Sequence, residues 1–454
     1  MDDASTLHRG AKYFMDSGRA ATHEEAMALL QSFGLTIYVG PNIATSRDEQ
    51  VALLTLVNAA RRSFLAGVSV VGLPKEAKPL TRLTRAATVA RAVRELGGRV
   101  VRRAKPAWPV AIIGNVSTPM SKRAAWRLAW SGWRAGVVPA RAGDAAIVEA
   151  AVPLAPMLAA ACCAAEAFAY HAKDHAMAGR RSLGMSLWNP GADWLAADPS
   201  EPDLCWLPSK LWLIGLGNLG QAFAWALTAL PFAAPEDVKL VLQDDDRLAT
   251  SNDSTSLLSF LKDVGQRKAR TVAAWLDDRG FDTAVFETRF NAWTTRAQDD
   301  PAVALCGVDN PIARAALECP GFGLVVEAGL GAGPEAFRSL SLHTFPGSRR
   351  AEDIWGGDTG PATHDVGNMP AYEAMRNAGA DACGLTQLAS RTVGIPFVGL
   401  TAGVMVISEL LRRLHGGAAY EVLAGSMLAL DAVEGVAQPA PVYAFGHVDA
   451  ELQR

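Results

Sequence analysis

Gly215, Gly217 and Gly220 stand in G-x-G-x-x-G spacing directly behind an apolar run, Leu211, Trp212, Leu213 and Ile214. Glycines in this pattern permit a tight turn and let backbone N–H groups approach a phosphate at a helix N-terminus, where the helix dipole favours an anion. An Ala- and Leu-rich helical segment follows, then a second strand over residues 238–242, with Asp244, Asp245 and Asp246 at its end. Strand, glycine turn, helix, strand and terminal acid come in the order of a nucleotide-binding β-α-β unit. A tight bend alone would explain the glycines but not the acids. Further along, Ser251-Asn252, Lys268 in Gly265-Gln-Arg-Lys, and Asp309-Asn310 with Arg314 combine amide, cation and carboxylate, which is what a charged phosphate ester and its metal require. Taken singly, each has a plain structural role: surface charge on a helix for Lys268 and Arg314, a helix cap for Asp309.

These residues sit in a chain of 454 residues, long enough for two or three domains. Half of the residues are hydrophobic and a fifth charged, the balance of a globular protein with a large core. A formal net charge of −3 gives no electrostatic case for nucleic acid or an anionic membrane. The cluster Arg102-Arg103-Ala104-Lys105 reads as a solvated face. Six cysteines, none in a C-x-x-C pair, argue against a zinc knuckle and fit a reducing cytoplasm. The polar, acidic start is no secretory signal. The most apolar stretch, residues 150–170, contains Pro153, Pro156 and Glu166 and is expected to be a buried Ala-rich helix, not a membrane span.

The elements that would position the chemistry read as two α/β halves. Residues 1–35 look helical and peripheral. A strand at 35–39, a loop from Gly40 to Ser46, a helix at 47–64 capped by Ser46, and a strand at 68–71 repeat the same order without its chemistry. No G-x-G-x-x-G is present, and Gly72-Leu73-Pro74 stands where an acid would be. This half is a nucleotide-type fold stripped of ligand residues, or an unrelated α/β domain. Strands are expected at 100–102 and 110–113 and helices at 122–134 and 156–172. Trp126, Trp130 and Trp133, at i, i+4 and i+7, suggest a core-facing helical stripe over the first of these. Residues 180–210, with prolines, glycines and three tryptophans, read as a linker packed on a surface.

In the second half a helical patch is expected at 256–262, and a helix at 269–278 capped by Gly280. Strands follow at 283–287, 303–308, 324–327 and 339–344. An irregular region spans 347–382, and a long helix spans 393–414. The division is 1–179, a 180–210 linker and 211–454.

Over residues 211–417 the ordered motifs resemble the ThiF/MoeB/ubiquitin-activating superfamily, which adenylates the C-terminal carboxylate of ubiquitin-like or sulfur-carrier proteins. They are the glycine loop, Asp244-x-Asp246 with Ser251-Asn252, Val264-Gly-Gln-x-Lys268, and Asp309-Asn310 with Arg314. The resemblance implies a Rossmann-like ThiF-type adenylation domain preceded by a degenerate, inactive one, in a bacterial protein. It implies ATP held by Gly215, Gly217, Asn218, Gly220, Asp244 (ribose), Asp246, Asn252, Lys268, Asn310 and Arg314, with Mg²⁺ on Asp309. The family commonly has an arginine three residues after the motif asparagine; Thr255 stands there, so Arg267 or an arginine of the first half would have to substitute. The tetracysteine zinc site of many members is missing.

Cys383, just before the final long helix, resembles the thioester cysteine of the compact activating enzyme for the ubiquitin-fold modifier. A thiolate there would take the acyl group from AMP, its pKa lowered by a helix N-terminus or Arg391. The alternative is a small buried residue. Cys306 and the Cys162-Cys163 pair read as core; His343 and His364 are available bases. The implied partners are a ubiquitin-like protein and a conjugating enzyme, with a homodimer or a pseudo-dimer within one chain. Other readings are an NAD-dependent oxidoreductase, which the glycine loop and Asp244 permit, and a catalytically dead scaffold of the same fold.

Overall fold

The computed structural model describes residues 6–116, 123–141, 150–357, 368–379, 382–439 and 441–451; the side chains of Ala382, Cys383, Gly384 and Gln387 lie outside the description. Two parallel-cored sheets dominate. In the first half α1 (Arg9–Asp16) and α2 (His23–Ser32) precede β1 (Gly34–Val39), α3 (Arg47–Ala60), β2 (Gly67–Val71), α4 (Val89–Glu95) and β3 (Arg99–Val100). Then come β4 (Val110–Ile113), β5 (Ala125–Ser131), β6 (Arg134–Pro139), α5 (Leu154–Ala172) and β7 (Leu183–Ser186). The sheet order is β3-β2-β1-β4-β5-β6-β7.

The second half opens with β8 (Trp206–Pro208) and β9 (Lys210–Ile214). It continues through α6 (Asn218–Ala229), β10 (Lys239–Gln243), α7 (Lys268–Asp277), β11 (Asp282–Phe286), β12 (Val303–Cys306), α8 (Pro311–Ala315) and β13 (Leu324–Leu330). Next are α9 (Gly333–Ala336), β14 (Ser339–Phe345), α10 (Ala351–Trp355), α11 (Pro370–Asn377), α12 (Ala382–Ser390) and α13 (Pro396–Leu414). The chain ends with β15 (Ala419–Ser426), β16 (Ala429–Gln438) and β17 (His447–Asp449). The order β11-β10-β9-β12-β13-β14-β15-β16 matches the first sheet strand for strand, with one strand added. Directions match too: β5 and β13 are parallel to their inner neighbours, and β6, β7, β14 and β15 are antiparallel.

This duplicated Rossmann-like α/β topology bears out the expected fold class. The halves meet through helices: α5 and α13, both 19 residues, pack on each other and on α3 and α6. The Trp225 indole of α6 donates to the Thr55 hydroxyl of α3 at 3.1 Å, a buried polar tie across the seam. Helix α5 is long and apolar enough to cross a membrane, but 89% of its apolar window is buried inside the fold. It is the Ala-rich core helix expected.

Several expectations change. The helix expected over 122–134 is absent from its described residues, 123–134: β5 and β6 are a hairpin joined by Gly132-Trp133, with Ser131 paired to Arg134. Trp126, Leu128 and Trp130 are buried on alternating positions, a period of two. An i, i+4 spacing fits both periods, so tryptophans four apart could not separate strand from helix. Gly132 at φ +58° supplies the turn. Within the 180–210 linker, Leu183–Ser186 completes the first sheet, and Trp194 is 6% exposed, packed on Ala129 and Val138.

Helix α1 is not peripheral. Gly10 to Asp16 are all buried, with Tyr13 donating to Asp174 and its ring 4.4 Å from that of Phe337. The 256–262 patch is not one helix; 3-10 turns at Thr250–Ser254 and Leu261–Asp263 flank it. The irregular region contains α10 and α11. The C-terminal strands, for which no signal was read, extend the second sheet and return β17 to pair with β8.

Candidate active site

The three glycines do three different things. Gly215 turns at φ +79°, donating from its N–H to Gln243 O at 2.9 Å, and a Cβ there would lie 2.7 Å from Val308 Cγ1. Gly220 has no room for a Cβ because the Gly215 carbonyl fills that space. Gly217 has open space where a Cβ would project. Turn, close packing and clear approach are the requirements of a phosphate-binding loop.

Asp244 follows β10 and ties the loop: its Oδ2 accepts from Leu216 N–H at 2.6 Å and its Oδ1 from Asp246 N–H at 2.8 Å. Burial raises its carboxyl above the ordinary range, with Lys268 and these N–H groups pulling back. Lys268, the first residue of α7, pairs with Asp246 at 2.7 Å. Asp246 is partly desolvated, yet the lysine holds its carboxyl below the ordinary range.

Asp309 arrives from β12. Gly307 N–H donates to Ile214 O at 2.8 Å, and Val308 packs on Gly215, so Asp309 emerges beside the glycine turn. It is exposed and makes no hydrogen bond with the described residues. The helix cap is the next residue: Asn310 Oδ1 accepts from Ile312 N–H at 2.9 Å. Asp309 is therefore free for a cation, and the carboxylate oxygens of Asp244, Asp245 and Asp246 lie within 4.8 Å of one another. The unbonded Asp309 carboxylate next to a phosphate loop fits Mg²⁺, which takes one or two carboxylates plus phosphate, whereas the Asp244 and Asp246 oxygens are already engaged.

Three residues expected to touch nucleotide are held by the protein instead. Arg314 donates to Val308 O (3.0 Å) and Ala328 O (3.2 Å), pairs with buried Glu327 at 2.8 Å, and lies 4.4 Å over the Trp355 ring. It buttresses the Asp309 loop. Glu327 also accepts His343 Nδ1 at 3.0 Å, so His343 is no free base. Asn218 Nδ2 donates to Gly394 O at 2.7 Å, tying α6 to the segment before α13. Asn310 is occupied as the cap just described. Asn252 keeps its amide N–H₂ unbonded among the described residues, while Oδ1 accepts from Ala249 N–H at 2.8 Å.

The first half contributes what sequence reading missed. Arg61 and Arg62, at the end of α3, clamp the 253–259 segment that follows Asn252: Arg62 donates to Asp253 O, to Leu257 O (2.8 Å) and to Ser259 O (3.0 Å), and Arg61 holds the Asp253 carboxylate at 2.9 Å. Arg9 of α1 reaches the site itself. Its N–H donates to Ser254 Oγ at 3.0 Å, beside Thr255. Its Nη1 is buried without a hydrogen-bond partner. Burial and the charge of Arg391 lower its pKa to about 10, with Asp309 acting the other way. Arg267 faces Asp245 O and Glu287 instead. The only signal for Arg9 in the sequence is the uncharged Thr255.

Cys383 is the second residue of α12, so its backbone is helical where a loop was expected; its side chain is outside the described residues, as is His364. The core reading of the others holds: burial raises Cys306 to about 12 and pushes Cys162 and Cys163 well up, keeping all three protonated.

Two families match this chain, the BilD N-terminal domain over residues 34–187 and the BilD C-terminal domain over residues 207–417. Crystal structures of E. coli MccB, one with ATP, overlap at TM-scores of 0.32–0.33 and 11–12% identity, covering 51% of this chain and 62–64% of that one, too loose a likeness to carry function. A protein of Collimonas sp. (strain OK412), the bacterial E1-like protein BilD, is 57% identical over 448 residues, 99% of this chain and 97% of that one. At that identity over nearly the full length of both, this chain belongs to the BilD family.

Proposed function

We propose that this chain is an ATP-dependent activating enzyme. It adenylates the C-terminal carboxylate of a ubiquitin-like protein in the second half and then takes the acyl group onto Cys383. What supports this is open space at Gly217, unbonded Asp309 beside the same glycine turn, and Arg9, whose Nη1 is buried without a partner and whose guanidinium feels the Asp309 charge. The site thus offers backbone donors, a metal-seeking carboxylate and a cation lacking its anion.

In the first step a carboxylate oxygen attacks the α-phosphorus, the Pα–O–Pβ bond breaks, and pyrophosphate leaves. Asp244 orders the glycine loop and takes the ribose. Lys268 and Arg9 offset charge on the departing pyrophosphate. Mg²⁺ on Asp309 would draw charge from the phosphate oxygens. In the second step the Cys383 thiolate attacks the acyl carbon and AMP departs. The 57% identical relative, described as E1-like, supports the class. The activated protein would then pass to a conjugating enzyme in the cytoplasm. One chain with two matching sheets takes the place of a dimer.

Exchange of labelled pyrophosphate into ATP, dependent on the ubiquitin-like protein, tests the first step. Asp309→Asn lowers it at least about 100-fold; undiminished exchange refutes the metal assignment. Cys383→Ala keeps exchange and loses the DTT-sensitive conjugate; a conjugate that persists refutes the cysteine.

A further inference from the structure

We propose that Arg391 is a second triphosphate-binding cation, acting beside Arg9 on the phosphates that leave. It belongs to the segment that follows the Cys383 helix, and the inference rests on the adenylation reading above.

The backbone around Arg391 is pinned from both sides. Two residues before it, Ala389 O accepts from Lys12 Nζ of α1 at 3.4 Å. Three residues after it, Gly394 O accepts from Asn218 Nδ2, the first residue of the glycine-loop helix, at 2.7 Å. Gly394 sits at φ +60°, and a Cβ built there would lie 3.6 Å from Asn218 Nδ2 and 3.8 Å from Thr255 Cγ2. The backbone of Arg391 is thus held between the helix of Arg9 and the helix of the phosphate loop, three residues from a glycine beside Thr255.

The electrostatics agree with that placement. The charge of Arg391 acts on both Arg9 and Asp246, residues brought to this site from the N-terminus and the middle of the sequence. Two guanidinium groups held near each other repel, and the repulsion grows where water is excluded. Asp309 and Asp16 offset part of it for Arg9, yet Arg9 Nη1 still lacks a partner. Tyr372 donates its hydroxyl to Asp16 and is not bonded to Arg9, and Lys12, itself a cation, has no acceptor to offer. Asp246 is already paired with Lys268. A polyanion is the ligand that would satisfy both arginines at once, and guanidinium groups suit phosphate oxygens through parallel N–H donors. AMP, lacking the distal phosphates, would leave Arg391 unused.

This ties the two steps together. While the triphosphate is whole, the segment after Cys383 is held against the nucleotide; loss of pyrophosphate removes that hold.

The test is calorimetric titration of the full chain with magnesium pyrophosphate, magnesium ATP and AMP, together with amide hydrogen exchange over residues 385–395. Arg391→Ala should bind pyrophosphate and ATP about 10- to 100-fold more weakly while AMP binding stays within about threefold. Arg391→Lys, which keeps the charge, should recover at least about a third of the lost affinity on a logarithmic scale. Pyrophosphate should slow exchange over 385–395 in the native chain and not in Arg391→Ala. Native-like pyrophosphate affinity in Arg391→Ala overturns the inference. So does an equal loss for AMP, which would mark a purely structural role, and if Arg391→Ala does not fold, Arg391→Lys carries the same comparison. Failure of the native chain to bind either ATP or AMP defeats the adenylation reading itself.

Discussion

Replacing Arg62 with methionine tests how the first half supports the second half's site. The Arg62 side chain is completely buried. It donates to the backbone carbonyls of Asp253, Leu257 (2.8 Å) and Ser259 (3.0 Å) and to Asn58 Oδ1 (3.2 Å). Methionine fills much of the aliphatic volume but supplies no donor. The Asp253 carbonyl then stays unpaired, at a cost of about 1–2 kcal/mol, while Leu257 O keeps Asn58 Nδ2 (3.1 Å) and Ser259 O keeps Arg61 (3.3 Å), each with one donor fewer. Asp253 also loses one of its two arginines. The sum is about 2–3 kcal/mol. Arg61 is the internal control. It is 16% exposed and bonds the Asp253 carboxylate near the surface, so Arg61→Ala should cost only about 1 kcal/mol. Urea unfolding measures both. The clamped segment follows Asn252, so Arg62→Met should also weaken ATP binding about 10-fold. If Arg62→Met costs no more than Arg61→Ala, the three carbonyl bonds do not carry the load assigned to them.

Gly217→Ala should fold with stability within about 1 kcal/mol of native and yet lose ATP affinity at least about 10-fold, because its Cβ enters only the space meant for phosphate. Gly220→Ala should instead lower stability by about 1–3 kcal/mol, since its Cβ meets the Gly215 carbonyl; matched thermal melts of the two variants decide this. Glu49, at the start of α3, is buried with Oε2 unbonded, and burial with Asp48 nearby raises its carboxyl from 4.5 to about 7. A raised acid favours the protonated native state, so its contribution is full below pH 4.5 and is lost as pH climbs through about 7, a change of about 3 kcal/mol. Glu49→Gln should therefore flatten the stability profile over that window and be more stable than native at pH 8; an unchanged profile refutes the burial argument.

What was legible was local. Residues 211–246 announce themselves because strand, turn, helix and acid are consecutive, and Gly215 and Gly220 are demanded by contacts within that unit or with the segment after β12. The strands that carry Asp244 and Asp309 followed from the apolar runs ending in those acids. What was missed depended on distant partners or on ambiguous spacing. Tryptophans at 126 and 130 satisfy strand and helix periodicity alike, and only Gly132 separates them. Helix α1 looks peripheral because its first turns are polar; Lys12, Asp16 and Tyr372, the last 356 residues from Asp16, satisfy one another in the interior. Arg314 illustrates the limit of motif reading. Its position in the pattern was right, but the pattern cannot say whether its donors reach a phosphate or, as here, Val308 O and Glu327.

The two sheets share one topology but not one fate. The first has no G-x-G-x-x-G turn, ends β2 in Gly72-Leu73-Pro74, and buries Glu49 at the helix N-terminus where an anion would otherwise bind. The Glu49 side chain, set against Gly114, fills that end of the helix whether or not its carboxyl is protonated. What this half retains is reach. Its α3 ends in the arginine pair that fixes the 253–259 segment, and its α1 crosses the seam to set Arg9 near Asp309. Neither contact can form within the second half alone, because residues 211–451 offer no arginine at Thr255 and pair Arg267 with Asp245 O and Glu287. The duplication therefore persists as a division of labour: one half holds the phosphate loop, the acids and Lys268, and the other supplies Arg9 and the clamp that complete them.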